Sequence, residues 1–239
     1  MKKLLIGCVA AVMVVAMVSI ASAQMGKDPT QAVMEKITRI MNQQSLSAKV
    51  IMVLPAGSGT KIPQMEYLMW MNKGKSRVEM DMARMMAAAG AGKGGMPPGM
   101  GKMVTITRPD IKVIYMVMPE MNAYAEMAIP DASAGDPASV KVDRKSLGNE
   151  KVDSYNCEKM LNTATTKDGK KTEVTTWEAK ELGGLPVKSE VETPQGKITM
   201  LFKDVKKEAP AASLFEPPAG ATKHNSMQEM MMSGMMKSL

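Results

Sequence analysis

From Leu46 to Val205 turn-forming residues cut the chain into short apolar or alternating runs, and a chain written this way has few options besides consecutive antiparallel strands. The series opens with "LSAKVIMVLP". "MEYLMWM" and "SRVEMDM" then flank Asn72-Lys73-Gly74-Lys75, "MVTIT" and "IKVIYMVM" flank Arg108-Pro109-Asp110, and "NAYAEMAI" follows. The second half repeats the device: "NCEKMLNTATT", the turn Lys167-Asp168-Gly169-Lys170, "KTEVTTWEA", "LPVKSEVE", the turn Thr193-Pro194-Gln195-Gly196, and "KITMLFKDV". A large antiparallel meander is expected. In "IKVIYMVM" both alternating sets are apolar, Val113, Tyr115 and Val117 against Ile114, Met116 and Met118. That strand is expected to be covered on both faces.

Three segments fall outside the strand pattern. Asp28-Pro29 is a helix start, and Val33, Ile37, Ile40 and Met41 share one face, which predicts an amphipathic helix over 29–43. Residues 80–103 form a Met- and Gly-rich insert in which Met82, Met85, Met86 and Ala89 make a short helical stripe before a glycine-rich stretch, so a helical lid on a loose hinge is expected, with a plain surface insertion as the other reading. Residues 222–239 read as a Met-rich flexible tail. In it Met227, Met230, Met231 and Met235 recur at three- and four-residue steps, and residues 224–239 are expected to have no sheet partner.

The start of the chain fixes the expected compartment. Lys2 and Lys3, an apolar run from Leu4 to Ile20 and the triplet Ala21-Ser22-Ala23 spell a secretory signal over 1–23, with Gln24 as the mature start and the periplasm as the destination. An uncleaved anchor and lipidation at Cys8 are the rival readings. The domain proper then runs over 24–221. With the signal go two lysines and no acid, so the formal charge falls from +7 to +5, and the basic residues are scattered. Nucleic acid is therefore not an expected partner, while transient contact with an anionic membrane surface is compatible with the charge. Of the two cysteines Cys157 stays behind alone, so the exported chain has no internal disulfide and Cys157 reads as a buried inert thiol.

No catalytic constellation emerges. His224 and Cys157 stand far apart in sequence with no nucleophile and base around either, and "GAGKGG" lies in low-complexity sequence without the serine or threonine of a phosphate loop. A non-enzymatic protein without cofactor is expected. The core itself is unusual: 26 of the 29 methionines lie beyond residue 23, against ten leucines and two phenylalanines. Thioether chains re-pack around ligands of different shape, which suits a binding surface.

The segments "MEYLMWMNKGKSRVEM", "TRPDIKVIYMVMPEMNAYAEM", "LGNEKVDSYNCEKM", "TTWEAKELGGLPVKSEVETPQGKITMLFKDV" and "SLFEPPAG" stand in an order that resembles uncharacterised periplasmic proteins similar to the outer-membrane lipoprotein-sorting superfamily (LolA, LolB, LppX-like). The likeness covers roughly residues 31–221. It implies a mainly β fold with a few helices, a half-open antiparallel β-barrel with a helical lid, whose apolar cavity receives acyl chains in relatives. The expected function is a monomeric periplasmic carrier of a lipid, acyl chain or acylated protein. The aromatic residues Tyr67, Trp70, Tyr115, Tyr124 and Trp177, with Met69, Met71, Met116 and Met118, are the candidate cavity residues, and alternation puts Tyr67, Met69 and Met71 on the face opposite Trp70. The alternative is a soft-metal protein that binds Cu(I) through the Met-rich insert and tail, since thioethers suit that ion.

Overall fold

The computed structural model describes residues 40–55, 64–88, 101–129, 140–193 and 196–237. In chain order the strands are β1 (Ser45–Val53), β2 (Gln64–Asn72), β3 (Lys75–Asp81), β4 (Lys102–Arg108), β5 (Val113–Met118), β6 (Ala123–Ala128), β7 (Val140–Val152), β8 (Tyr155–Thr166), β9 (Lys171–Ala179), β10 (Leu185–Thr193), β11 (Gly196–Lys206) and β12 (Thr222–His224). Among the described residues they are accompanied by α1 (Met82–Ala88) and α2 (Met227–Lys237), besides the helical residues 40–42. All the strands lie in one sheet, ordered β12-β6-β5-β4-β3-β2-β1-β11-β10-β9-β8-β7. Every pairing is antiparallel except β12 with β6. Among the described residues β12 and β7 form the two outer edges, so the barrel is half-open.

Local chemistry explains the hairpins. Lys73 and Gly74 both take positive φ, 48° and 90°, the pair a tight hairpin turn with right-handed twist requires between β2 and β3. The connections β4–β5 and β5–β6 use one device twice: Pro109 or Pro119 opens a single 3-10 turn, which a left-handed residue, Lys112 or Asn122, closes by returning its N–H to the proline carbonyl. The Asp81 carboxylate accepts the Arg84 amide at 2.8 Å and so starts α1.

Two parts differ from expectation. Strand β7, thirteen residues long, alternates only at its start, where Val140 and Val142 pack on Ala164 and Val174; beyond them it is exposed and polar on both faces and carries no legible pattern. His224, expected to lack a sheet partner, instead pairs beside Ala125 through the parallel ladder of β12 on β6. The chain continues into α2 through a capping box: the Glu229 amide donates to Ser226 Oγ at 3.1 Å, and the Glu229 carboxylate accepts the Asn225 amide at 3.0 Å. Met230 then buries completely on Met118, Ala123 and Ala125, so tertiary packing stabilises a helix that would be marginal alone. The signal, most of the 29–43 helix and the glycine-rich part of the insert lie outside the described residues; residues 40–42 are helical and Met41 is buried in the main core.

Candidate ligand-binding face

The ladder register sorts side chains into two faces. One row crosses seven strands on what we call the inner face: Ala48, Met69, Val78, Thr105, Met116, Ala125 and His224. A neighbouring row runs Met65, Met52, Met200, Ser189, Thr176 and Met160. From β5 to β11 this face is apolar, interrupted by Ser76, Thr105 and Thr107, and it carries Leu46, Val50, Tyr67, Met71, Met80 and Phe202 as well. Helix α1 brings Met85 against Met52, Leu54 and Met65 at one end, and α2 rests on Met118, Ala123 and Ala125 at the other. Toward β8 and β9 the face turns polar: buried Asn162 donates to the Val174 carbonyl and to Thr176 Oγ1, both at 3.1 Å, and Arg144 reaches Asn162 Oδ1 at 3.1 Å.

The nine sequence candidates divide between the faces. Tyr67, Met69, Met71, Met116 and Met118 lie on the inner face, where the Tyr67 hydroxyl finds only the Met200 thioether, at 3.9 Å, and burial pushes its pKa far above the ordinary tyrosine range. Trp70, Tyr115 and Tyr124 lie on the outer face. There they surround Phe215 together with Val104, Ile106 and Val117, and Tyr115 and Tyr124 meet edge to face at 5.8 Å. Trp177 joins the main core, but its ring is overlaid by Lys188 Nζ at 4.0 Å and Lys159 Nζ at 4.8 Å.

The outer cluster is held shut by two arginines. Arg77 donates to the Leu214 carbonyl at 3.0 Å while ion-pairing with Glu79 at 2.6 Å, and Arg108 donates to the Phe215 carbonyl at 3.4 Å. Arg108 also pairs with Glu216 and with Asp110 at 2.8 Å. Its guanidinium holds the Asp110 carboxyl below the usual carboxylate range, and that hydrogen bond in turn raises Arg108 despite its burial. The rest of the outer face is laced with ion pairs, among them Lys49–Glu66 at 2.9 Å and Lys188–Glu190 at 2.8 Å. Sequence inspection missed Phe215, Arg77 and Arg108, because "SLFEPPAG" has no period and the partners lie over 100 residues apart. It missed Met80, Met200 and Phe202 too, although pairing the alternation of "SRVEMDM" and "KITMLFKDV" with "LSAKVIMVLP" would have found them.

A family model described as a domain of unknown function, DUF4412, matches residues 47–183, from β1 to the turn after β9. The chain belongs to this family. The match takes in six of the seven strands that carry the inner row, β1 to β6, and leaves out β10 to β12, the Phe215 segment and α2. No curated protein matches the sequence. Among solved structures the chain is similar to the lipoprotein LppX from Mycobacterium tuberculosis, at 12% identity with a TM-score of 0.41, covering 77% of this chain and 99% of that one. It is also similar to LprF from Mycobacterium bovis, at 13% and 0.41 over 81% and 97% of the two chains. A LolA superfamily protein from Nitrosomonas europaea is similar at 12% and 0.32 over 76% and 96%.

Proposed function

We propose that the protein is a non-enzymatic carrier of the cell envelope that shields an acyl chain, of a lipid or an acylated protein, against the inner face of its half-open sheet. The observation that supports this reading is the division of the sheet itself. The charged residues of β1 to β3 and of β10 stand on the outer face, most of them paired there, whereas among the described residues the inner face from β5 to β11 carries apolar side chains, small hydroxyls and the Tyr67 phenol. Burying an acyl chain there gains about 0.8 kcal/mol per methylene, on the order of 12 kcal/mol for a sixteen-carbon chain. The costs of association, roughly 4–15 kcal/mol, take back much of that, so a long chain can be held and still be released. The methionines of the face adapt to chains of different length and kink.

Titration of the exported protein with cis-parinaric acid, a fluorescent fatty acid, tests the proposal. Saturable binding is expected for the natural chain, and Met116→Asp is expected to weaken it by placing a charge without a partner in an apolar row. Equal binding by the two proteins, both folded by circular dichroism, would overturn the assignment of the inner face.

A further inference from the structure

We propose that His224 and the methionines of the first turns of α2 form a site for a soft monovalent cation, Cu(I) in chemical class. The inference is independent of the acyl-carrier proposal. Methionine is common throughout this chain, so thioethers alone would single out nothing. What sets this corner apart is an imidazole on the strand that leads into α2, with His224 and Met230 both beside Ala125.

His224 is 8% exposed and sits at the end of the inner row, next to Ala125, on which Met230 also packs. Its Nδ1 faces the Glu229 carboxylate at 3.6 Å. The same carboxylate is anchored by the Asn225 amide, so it is fixed in place by the helix cap. A carboxylate beside Nδ1 leaves the other nitrogen, Nε2, for a metal, and ligating histidines commonly carry such a carboxylate neighbour. Among the described residues Nε2 has no hydrogen-bond partner.

Met227, Met230 and Met231 follow at helical spacing, so their side chains emerge from one face within a turn of each other. All three pack in the cluster that includes Met118, Ala123 and Ala125; Met230 is fully buried and Met227 and Met231 are half-buried at its rim. Met121 closes the far side, packed so tightly against α2 that a methyl added at Gly234 would lie 2.3 Å from its terminal carbon. The set therefore offers three uncharged sulfur donors and one nitrogen. No group of three His, Cys, Asp or Glu able to hold a metal stands among the described residues, so the donors of this corner suit a soft ion and not zinc or calcium. Thioethers also keep their metal affinity in an oxidising compartment, where thiolates are consumed.

Anaerobic titration of the full exported chain with Cu(I), in competition with bicinchoninate, reads the site directly, and Ag(I) serves as a redox-inert control. One equivalent is expected to be withdrawn from the chelator. Met227→Leu with Met230→Leu and Met231→Leu conserves volume and is expected to weaken binding at least a hundredfold while the thermal transition stays in place. His224→Gln is expected to weaken it about tenfold, and it decides the matter if the triple variant melts early. Failure of the natural chain to compete, or binding that survives both variants, would overturn the site.

Discussion

Phe215 is 1% exposed and fills the outer cluster of Trp70, Val104, Ile106, Tyr115, Val117 and Tyr124. Replacing it with alanine leaves a cavity under the Arg77 and Arg108 bridges, and chemical denaturation should show a loss of about 3–5 kcal/mol. Fatty-acid binding should persist in that variant, because the cluster is on the opposite face from the proposed chain. Asp110 gives a pH prediction. Its carboxyl is held below the ordinary range by Arg108 first and then by Lys75, so it contributes stability that is present above the ordinary carboxylate pKa and lost as pH falls through its folded value. Asp110→Asn should therefore melt below the natural protein at neutral pH, and the difference should begin to narrow below about pH 4 and close only as pH falls through the folded value. Single residues were legible where alternation governs them: the opposition of Tyr67 and Trp70 was plain in "MEYLMWM". It was illegible where the partner is remote, as for Arg108 and Glu216.

At the scale of elements the closing strand and helix depart furthest from expectation. In isolation sixteen residues containing Gly234 make a marginal helix. The capping box over Ser226 and Glu229 and the seat that Ala123 and Ala125 provide for Met230 change that balance. The cap can be read from the sequence, but the seat cannot, because alanines in a strand announce space only once the sheet is assembled. Met230→Ala should cost about 2–5 kcal/mol, measured by denaturant unfolding, and truncation after Ala221 should lower the melting temperature further by removing an edge strand as well. An unchanged transition in the truncated protein would show that the helix contributes nothing. The hairpins from β1 to β6 and from β8 to β11 were legible because turn chemistry and alternation agree there. Strand β7 was not, since its exposed polar residues answer to the solvent on both sides.

Across the whole molecule, the sheet sets the paired charges of β1 to β3 and of β10 on its outer face against an inner face that is apolar from β5 to β11. The meander was legible in the strand and turn pattern, and its half-open form was implied by the family resemblance; the assignment of each side chain to a face needed the register, and the bulges at Ser47/Lys49, Pro186/Lys188 and Ser146/Asn149 shift that register where no pattern marks them. The free thiol tests the same architecture: Cys157 is 1% exposed and burial pushes its pKa up, so it should resist alkylation in the native protein and react on unfolding. The acyl-carrier proposal itself is tested most directly by native mass spectrometry of the protein purified gently from the cells that make it. A population heavier than the polypeptide by the mass of an acyl-bearing lipid, and shed when Met116 is replaced by Asp, is expected. A bare polypeptide mass that stays bare after incubation with long-chain fatty acid would contradict the account.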